Sequence, residues 1–446
     1  MKRLFLIAVF VVVGLLLGRG VQFYLQNTRY AHYIITSYFD GLHSIVKDGY
    51  TDRQSYTIGE QQQVYMNADE ASEEIVRLYD VLGNVVDSVS TVLAPQEPQA
   101  NPSEAGFGYT PTFFYHVPAL KSGLYLWENK IPFIVKSKAA PVVVLYPTNT
   151  INAYTISGGK SLYDIFSEQT HQVSFHRPTF PAVSFQVKPA MAWLVESAYQ
   201  IKYIVDSDLE DSTVLSGAKV LVIIGHSEYW TRNARKTVDA FVAKGGHSAV
   251  LSGNTMWWQA RYTPDGSGLI CYKIQPDPIQ NPLLKTINWY HEELQYPIVG
   301  SIGVDLRFGG YGRKRFESFG GFKIVNEKSP LLKGTNLRNG DVLRVPSKEL
   351  DGTFLVKSPE EVVLDTAQLG FFKAELLGYE HAYLDDWGYG SFLIFQKTPT
   401  SGVVVNVASM DWCSPYGIGG DDAARIKIIT KNILDGLLQD EDMFSK

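Results

Sequence analysis

The hydrophobic pattern is clearest in the run AKVLVIIGHSEY, residues 218–229. Its apolar centre, Val220–Ile224, is typical of a strand that is buried on both faces of a parallel sheet. Polar residues follow the strand at once, and His226 and Glu228 are among them. In an open α/β sheet such a loop lies at the carboxyl end of a strand, where ligands bind. Both side chains are therefore candidates for a functional site, and the alternative, in which they only tie the loop to its neighbours, stays open.

Short alternating runs dominate residues 54–136. The predicted strands are Gln63–Met66, Glu74–Tyr79, Phe113–Val117, Gly123–Trp127 and Ile131–Val135. Turn signals lie between them, for example the sequence DVLGN at residues 80–84 and the loop Pro95–Pro102. Regularly spaced short strands separated by turns indicate a β-sandwich, and we expect an Ig-like one.

From Pro141 onward, strands alternate with helices. We predict strands at Val142–Leu145, Ile201–Val205, Ser248–Leu251, Ala374–Tyr379, Ser391–Gln396 and Val403–Val407. We predict helices at Lys188–Ser197, at Asn233–Ala243 with Thr231 as the N-cap, and at Asp422–Leu437. We expect Tyr146–Gly159 to be a loop, while residues 262–340 show no readable period. The alternation predicts a doubly wound α/β domain.

The length of 446 residues exceeds one ordinary core, so we expect two domains. The predicted boundaries are residues 1–20 for a signal peptide or membrane anchor, 21–50 for a tether, 51–138 for the sandwich and 139–440 for the α/β domain. A net charge of −6 without a long basic run argues against nucleic-acid binding. Cys271 and Cys413 are far apart in the sequence, and two states stay open for them, a disulfide after export or two buried thiols.

The N-terminus has the pattern of a targeting segment. Lys2 and Arg3 precede the apolar run Leu4–Leu17, and Gly18-Arg19-Gly20 follows. A basic head, a short apolar middle and small residues at the end predict a secretory signal. The apolar run is short for a membrane span, which needs ~20 residues. We expect an exported protein that is periplasmic, secreted or membrane-anchored, and an uncleaved anchor in residues 1–20 stays an alternative.

Common catalytic motifs are absent from the sequence, which has no G-x-S-x-G elbow, no P-loop and no H-E-x-x-H. A different series of short motifs spans most of the chain between about residue 54 and residue 437. Its members are SGLY at 122–125, IPF at 131–133, AY at 153–154, GGKSLY at 158–163, FHRP at 175–178, GHSEYW at 225–230, SGN at 252–254, GYE at 378–380 and NVASMDWC at 406–413.

This ordered series resembles the large subunit of N,N-dimethylformamidase and its relatives. The resemblance implies a β-sandwich followed by an α/β core like that of the class I glutamine amidotransferases, which is flavodoxin-like. It also implies one mononuclear iron that is bound by two tyrosines and one glutamate. Carried over motif by motif, the ligands fall on Tyr125, Tyr154 and Glu228. His226 and Glu380 would then act as acid–base groups or support the ligands.

The implied chemistry is physically coherent. Two phenolates and a carboxylate are hard oxygen donors that suit Fe(III), and their three negative charges cancel the charge of the ion, so that the site can be buried. The iron would act as a Lewis acid on water and on a substrate carbonyl. The resemblance thus implies a hydrolase of carbon–nitrogen amide bonds with a small-molecule amide as substrate. We expect Trp230, Asn254 and Trp258, near strand ends, to line the substrate pocket.

Several alternatives stay open at this stage. Thr155 stands where many relatives carry Asn after the Ala-Tyr pair, which leaves the orientation of the substrate undecided. The chain could instead be an exported binding protein for a glycan or peptide, with a degenerate α/β site. It could also be a metal-free hydrolase that uses His226 with Glu228. A homo-oligomer is a further open expectation.

Overall fold

The structure, a computed structural model, describes residues 45–164, 167–179, 186–312, 318–358 and 361–445. The expected signal peptide or anchor, residues 1–20, lies outside these ranges, as does the expected tether up to residue 44. None of the helices in these ranges combines the length and the apolar character that a membrane span requires.

Two sheets pack against each other in the N-terminal part, residues 45–140. Their elements are β1 (Asp48–Thr51), β2 (Ser55–Thr57), β3 (Gln61–Asn67), β4 (Ser72–Asp80), β5 (Val85–Leu93), α1 (Pro102–Ala105), β6 (Phe113–His116), β7 (Gly123–Trp127) and β8 (Ile131–Lys136). The strand orders are β1-β3-β6 and β2-β8-β7-β4-β5. Side chains from both sheets, such as Val64, Leu78 and Trp127, share one buried core. The sequence analysis missed β5 because it is an edge strand whose residues are mostly exposed.

An eleven-stranded sheet organises the rest of the chain. The elements up to residue 253 are β9 (Val142–Tyr146), α2 (Thr148–Tyr154), β10 (Lys160–Ser161), β11 (Glu168–Gln169), β12 (Gln172–Ser174), α3 (Lys188–Glu196), β13 (Ile201–Val205), a 3₁₀ turn (Asp206–Glu210), β14 (Val220–His226), β15 (Tyr229–Trp230), α4 (Arg232–Ala243) and β16 (His247–Gly253). Five strands of the large sheet run parallel, in the order β13-β9-β14-β16 and then a late strand, Val403–Asn406.

The remaining elements complete the large sheet and surround it. They are β17 (Trp258–Gln259), β18 (Arg261–Tyr262), β19 (Gly268–Ile270), 3₁₀ turns at Pro282–Leu284 and Glu292–Leu294, α5 (Val299–Ile302), β20 (Asp305–Tyr311), β21 (Phe322–Ile324), a 3₁₀ turn at Pro330–Leu332, β22 (Val342–Leu343), β23 (Glu349–Gly352), β24 (Leu355–Lys357), β25 (Val362–Leu364), α6 (Thr366–Leu369), β26 (Lys373–Tyr383), β27 (Trp387–Gln396), β28 (Val403–Asn406) and α7 (Ala423–Gln439). The order β27-β23-β20-β26-β21-β22 follows β28, with antiparallel pairing.

Helices cover both faces of the parallel half. Successive residues of a strand point to opposite faces, so Val142 and Val144 of β9 pack with α3 and α7, whereas Val143 and Leu145 pack with α4. The fold is therefore mixed α and β with large sheets, as the alternation of patterns predicts. Thr231 is the N-cap of α4, as expected, because its hydroxyl oxygen accepts a hydrogen bond from the Ala234 amide.

Two segments differ from the sequence-based expectation. The predicted loop Tyr146–Gly159 contains α2, whose sequence TNTINAY is rich in weak helix formers. Its first turn is held from outside, since Oδ2 of Asp206 accepts hydrogen bonds from the Asn149 amide (2.7 Å) and the Thr148 hydroxyl (3.1 Å). Residues 262–340, which showed no period, contribute the strands β20 and β21 to the large sheet. Cys271 and Cys413 are both buried and free.

Candidate functional site

The carboxyl ends of the parallel strands bring distant segments together. β14 and β16 end side by side, with His226 opposite Gly253, so the loops that follow them share one edge of the sheet. The other sheet neighbour of β14, strand β9, leads directly into α2, which ends at Tyr154. Ligand sites in open α/β sheets lie at this edge.

Two tyrosines and one glutamate form the centre of this region. The Tyr163 hydroxyl donates a hydrogen bond of 2.6 Å to Oε1 of Glu228. The rings of Tyr154 and Tyr163 stack with their centroids 4.2 Å apart, and, in addition to burial, Glu228 and Tyr163 are both close enough to the Tyr154 phenol to raise its pKa. Glu228 is 2% exposed. Two phenol oxygens and a carboxylate therefore converge in a buried place.

A second layer of polar groups faces Glu228. Nε2 of His226 lies 3.4 Å from Oε2 of Glu228 and 3.1 Å from Oε2 of Glu349. The side-chain nitrogen Nδ2 of Asn254 donates a hydrogen bond of 3.1 Å to the same oxygen of Glu349. Within the described residues, Glu228 Oε2 and Asn254 Oδ1 are buried and make no hydrogen bond, and the buried Nε2 of His226 has only its two carboxylate contacts. Such a concentration of unsatisfied polar atoms is costly unless a ligand, ion or water satisfies them.

Burial and neighbouring charges set the protonation of the cluster. Burial, and then the Glu228 carboxylate, raises the pKa of Tyr154 and of Tyr163 well above 10. Burial also raises the pKa of Glu228. Burial opposes the charged form of His226, but the Glu349 carboxylate outweighs it and raises the His226 pKa. Burial likewise opposes ionisation of Glu349, and His226 outweighs it, so that the pKa of Glu349 is lowered. Glu349 is therefore the carboxylate that pairs with His226.

Lys273 adds a positive charge on the opposite side of the tyrosines. Its Nζ lies 3.1 Å from the centre of the Tyr163 ring and 5.4 Å from that of Trp258. Burial lowers the Lys273 pKa to about 8, and Glu228 opposes that shift. A cation over a ring face is attracted by the ring quadrupole. The ammonium thus lies against the phenol that bonds to Glu228.

The first turn of α2 positions the Glu228 loop. The Thr150 hydroxyl oxygen accepts a hydrogen bond of 2.8 Å from the Glu228 amide, and the side chain of Asn149 donates one of 3.2 Å to the Tyr229 carbonyl. Because Tyr154 ends the same helix, these bonds fix Glu228 relative to Tyr154.

A buried aspartate positions the Asn254 loop in a similar way. Asn254 has φ 50°, in the left-handed region that is costly for residues other than glycine. Oδ1 of Asp351 accepts from the Asn254 amide (2.9 Å) and Oδ2 accepts from the Thr255 amide (3.1 Å). Burial raises the Asp351 pKa to about 7. The two bonds offset the strain and aim the Asn254 side chain at Glu349.

The donor set determines which group this cluster could hold. Among the described residues, no three or more His, Cys, Asp or Glu are arranged to hold a metal ion. That count leaves out tyrosine. The phenols of Tyr154 and Tyr163, together with the free Oε2 of Glu228, provide three hard oxygen donors in one place. Such a set suits a hard cation such as Fe(III).

The sequence profile of the N,N-dimethylformamidase beta subunit-like family, C-terminal region, matches residues 87–419. The chain belongs to this family. The profile covers the tyrosine segment, the Glu228 loop and the Glu349 strand of this N,N-dimethylformamidase beta subunit-like protein.

Comparisons beyond the family are weak. No curated protein matches the chain. The mmIFT52 N-terminal domain is 11% identical, with a TM-score of 0.29, over 57% of this chain and 91% of that one. A putative ThuA-like protein from Bacteroides uniformis ATCC 8492 is 9% identical, with a TM-score of 0.33, over 69% of this chain and 96% of that one. At these TM-scores neither likeness bears on fold or function.

In this N,N-dimethylformamidase beta subunit-like chain, the structure brings together four of the expected site residues: Tyr154, His226, Glu228 and Asn254. Trp258 lies at the margin, 9% exposed, in the aromatic cluster that includes Tyr154 and Tyr163. The roles of these residues stay predictions.

Three expected site residues lie elsewhere. The Tyr125 ring packs in the sandwich core and its hydroxyl donates to the Lys121 carbonyl (2.9 Å), so its assignment as a metal ligand is corrected. Glu380 accepts hydrogen bonds from the Phe319, Gly321 and His381 amides and from the Ser318 hydroxyl, so its carboxylate is used in holding a loop rather than in the cluster. Trp230 is 1% exposed and packs in the core around α4, where its indole donates to the Ser227 carbonyl.

Three members of the cluster were missed by the sequence analysis: Tyr163, Lys273 and Glu349. The sequence did contain a signal for Tyr163, since this residue ends the motif GGKSLY, nine residues after Tyr154. Lys273 and Glu349 lie in or next to the segment without a readable period, where no pattern marked them. Thr155 is buried at the end of α2, where its hydroxyl donates to the Ile151 carbonyl, so it supports the helix.

Proposed function

We propose that this chain is an amide hydrolase whose reaction takes place at a mononuclear iron held by Tyr154, Tyr163 and Glu228. The observation that carries the proposal is the convergence of two phenols on one buried carboxylate whose second oxygen has no partner among the described residues. Membership of the N,N-dimethylformamidase beta subunit-like family supports the same reaction class.

The charges of the three donors support this choice of metal. Two phenolates and one carboxylate neutralise Fe(III), so that the loaded site costs little to bury. Because burial raises the pKa of both tyrosines, their protons must leave when the metal enters, and metal uptake should release protons. When bound, the iron would supply Lewis-acid chemistry to water and to the substrate carbonyl.

The residues around the donors account for the proton transfers. Hydrolysis adds water to the amide carbon, breaks the carbon–nitrogen bond and moves one proton to the departing amine. Nε2 of His226 lies between Glu349 and Oε2 of Glu228, next to the donors, so the imidazole can take the proton from water and return it to the amine. Glu349 stabilises the imidazolium that forms in between. The free Oδ1 of Asn254 can accept a hydrogen bond from water or substrate.

The finer fold and location form part of the same proposal. We propose that the two packed N-terminal sheets are an Ig-like sandwich and that the parallel half of the large sheet is of the class I glutamine amidotransferase-like, flavodoxin-like type. The proposed boundary lies near residue 138. We further propose an exported enzyme that acts on a small amide.

Metal analysis of the purified full chain tests the proposal directly. Protein produced with iron in the medium should carry about one iron per chain, show a visible phenolate-to-iron absorption band, and hydrolyse small formamides or acetamides. Chelation should abolish the turnover and added iron should restore it. Protein that takes up no iron under these conditions would overturn the proposal. Turnover that survives chelation but is lost in His226→Ala would instead establish the metal-free alternative.

A further inference from the structure

Arg177, in the motif FHRP, is a buried cation that the proposed reaction does not use. It is 0% exposed. Nε donates to Oδ1 of Asn152 and to the Ser174 carbonyl, both at 3.1 Å. Nη1 donates to the carbonyls of Ser157 (3.1 Å) and Lys160 (2.9 Å), and Nη2 to that of Asn152 (2.6 Å). Burial alone lowers the Arg177 pKa, from 12.5 to about 9, so no charge among the described residues compensates it.

Apart from the Ser174 carbonyl, the acceptors of this guanidinium lie in one short segment. Asn152, Ser157 and Lys160 flank or separate the two tyrosines of the cluster, Tyr154 and Tyr163. The Asn152 carbonyl is near the carboxyl end of α2, where a positive charge is favoured. Arg177 thus bonds the chain before, within and after the turn that connects the two rings.

The turn itself is fitted to the sandwich. The Ser103 hydroxyl donates to the Ser157 carbonyl (3.1 Å) and accepts from the Lys160 amide (3.0 Å). Gly158 has φ 82°, and a Cβ at this position would lie 2.6 Å from the Ser103 oxygen. The segment therefore has no freedom to shift without breaking bonds to Arg177, to Ser103 or to both.

We propose that Arg177 is a positioning residue that fixes the segment 152–163, so that the hydroxyls of Tyr154 and Tyr163 face Glu228 together. The link from this geometry to iron rests on the proposed function. A lysine at the same place cannot replace the guanidinium, because a compact ammonium with three donors does not reach acceptors spread around a planar fork. A lysine therefore cannot keep the bonds to the three separate carbonyls of the segment at the same time.

The test compares Arg177→Lys with Arg235→Lys in the full chain. Arg235 is also 0% exposed, but it donates to Tyr296, Pro297 and Ser301, away from the tyrosine segment. We expect amide hydrogen exchange of residues 152–163 in metal-free protein to accelerate by about tenfold or more in Arg177→Lys and to stay unchanged in Arg235→Lys. Iron should bind ~10- to 100-fold more weakly in Arg177→Lys only, as when a group that orients a ligand is lost.

A milder variant keeps the test decisive if Arg177→Lys does not fold. Ser103→Ala removes the two bonds to the turn and leaves the buried charge in place, so it should accelerate exchange at residues 158–161 and weaken iron binding in the same direction. If amide exchange and iron affinity in Arg177→Lys match those of the wild-type chain, the proposal is overturned. If Arg177→Lys is unfolded, the same result in Ser103→Ala overturns it. Failure of the wild-type chain to bind iron would overturn the proposed function, while the exchange comparison would still judge the role of Arg177.

Discussion

The hydroxyl of Tyr163 donates a hydrogen bond of 2.6 Å to the carboxylate of Glu228, across 65 positions of the sequence. The contact joins a turn after α2 to the loop after β14. It also explains why the pKa of Tyr163 is raised, since burial and the adjacent carboxylate both oppose a phenolate. A trivalent cation that takes the place of the proton would reverse that preference.

Replacement of Tyr163 by Phe should therefore remove iron from the chain. The variant lacks one of three donors, so we expect its iron affinity to fall by more than the ~10- to 100-fold that follows loss of a group that only orients a ligand. The visible absorption band should weaken or vanish. Metal analysis and absorption spectra measure both effects.

Tyr125→Phe is the matched control for this experiment. It removes only the hydrogen bond to the Lys121 carbonyl in the sandwich core, so iron content and absorption should match the wild-type chain. Loss of iron from Tyr125→Phe with retention in Tyr163→Phe would show that the original motif assignment was right and the structure-based one wrong.

Glu349→Gln should separate turnover from metal binding. The change removes the negative charge that faces His226 at 3.1 Å and keeps the shape of the side chain. We expect kcat to fall by ~10²- to 10⁴-fold, the usual contribution of general acid–base catalysis, with iron content unchanged. Steady-state kinetics on a small amide, together with metal analysis, gives both numbers.

Glu380→Gln serves as the comparison for Glu349→Gln. Its carboxylate accepts hydrogen bonds from three backbone amides and one hydroxyl, so its replacement should lower the free energy of unfolding rather than kcat. A fall in kcat without a fall in stability would restore Glu380 to the catalytic role that the sequence motif suggested.

The pH dependence of stability should depend in part on Asp206. Burial raises its pKa from 3.8 to about 7 in the folded chain, so the folded state binds its proton more tightly than the unfolded state does. The stability present below about pH 4 is then lost as the pH rises toward 7, at up to ~1.4 kcal/mol per pH unit. Urea denaturation between pH 4 and pH 8 measures this slope.

Asp206→Asn isolates that contribution from those of other buried acids such as Asp351. An amide oxygen can still accept from the Asn149 amide and the Thr148 hydroxyl, while the ionisation is gone. The variant should match the wild-type chain near pH 4 and be more stable above pH 7. Parallel slopes for the two proteins would contradict the assignment to Asp206.

The sequence could predict the frame of the site because buried parallel strands leave a strong signal. The apolar run of β14 and the polar residues after it place His226 and Glu228 at a sheet edge, and the strand before α2 does the same for Tyr154. The structure adds two residues to the carboxyl end of that run, since Gly225 and His226 belong to the strand itself.

The motif comparison assigned a ligand role to Tyr125 and not to Tyr163, although each tyrosine ends one of the motifs. The two-residue period of a β-strand could have shown that Tyr125 points into the sandwich core. Tyr125 and Trp127 are two apart on β7, so both point to the same face, and Trp127 is 0% exposed in the sandwich core. Glu349 left no such signal, because β23 pairs through irregular and bulged partners and the segment before it has no period.

Asn152→Asp should stabilise the chain by supplying the carboxylate that Arg177 lacks. Nδ2 of Asn152 is buried without a hydrogen-bond partner among the described residues, so its replacement by oxygen costs no bond there. Oδ1 already accepts from Nε of Arg177 at 3.1 Å, and the new charge would compensate the buried guanidinium. Removal of an unsatisfied donor alone relieves ~1–3 kcal/mol, and desolvation of the carboxylate offsets part of it. We expect a net gain of about 1 kcal/mol in unfolding free energy, measured by urea denaturation of metal-free protein at pH 7.

Asn152→Ala is the control, because it takes an acceptor from Arg177 and should lose stability instead. An Asn152→Asp variant less stable than the wild-type chain would show that the surrounding carbonyls already satisfy the guanidinium in full.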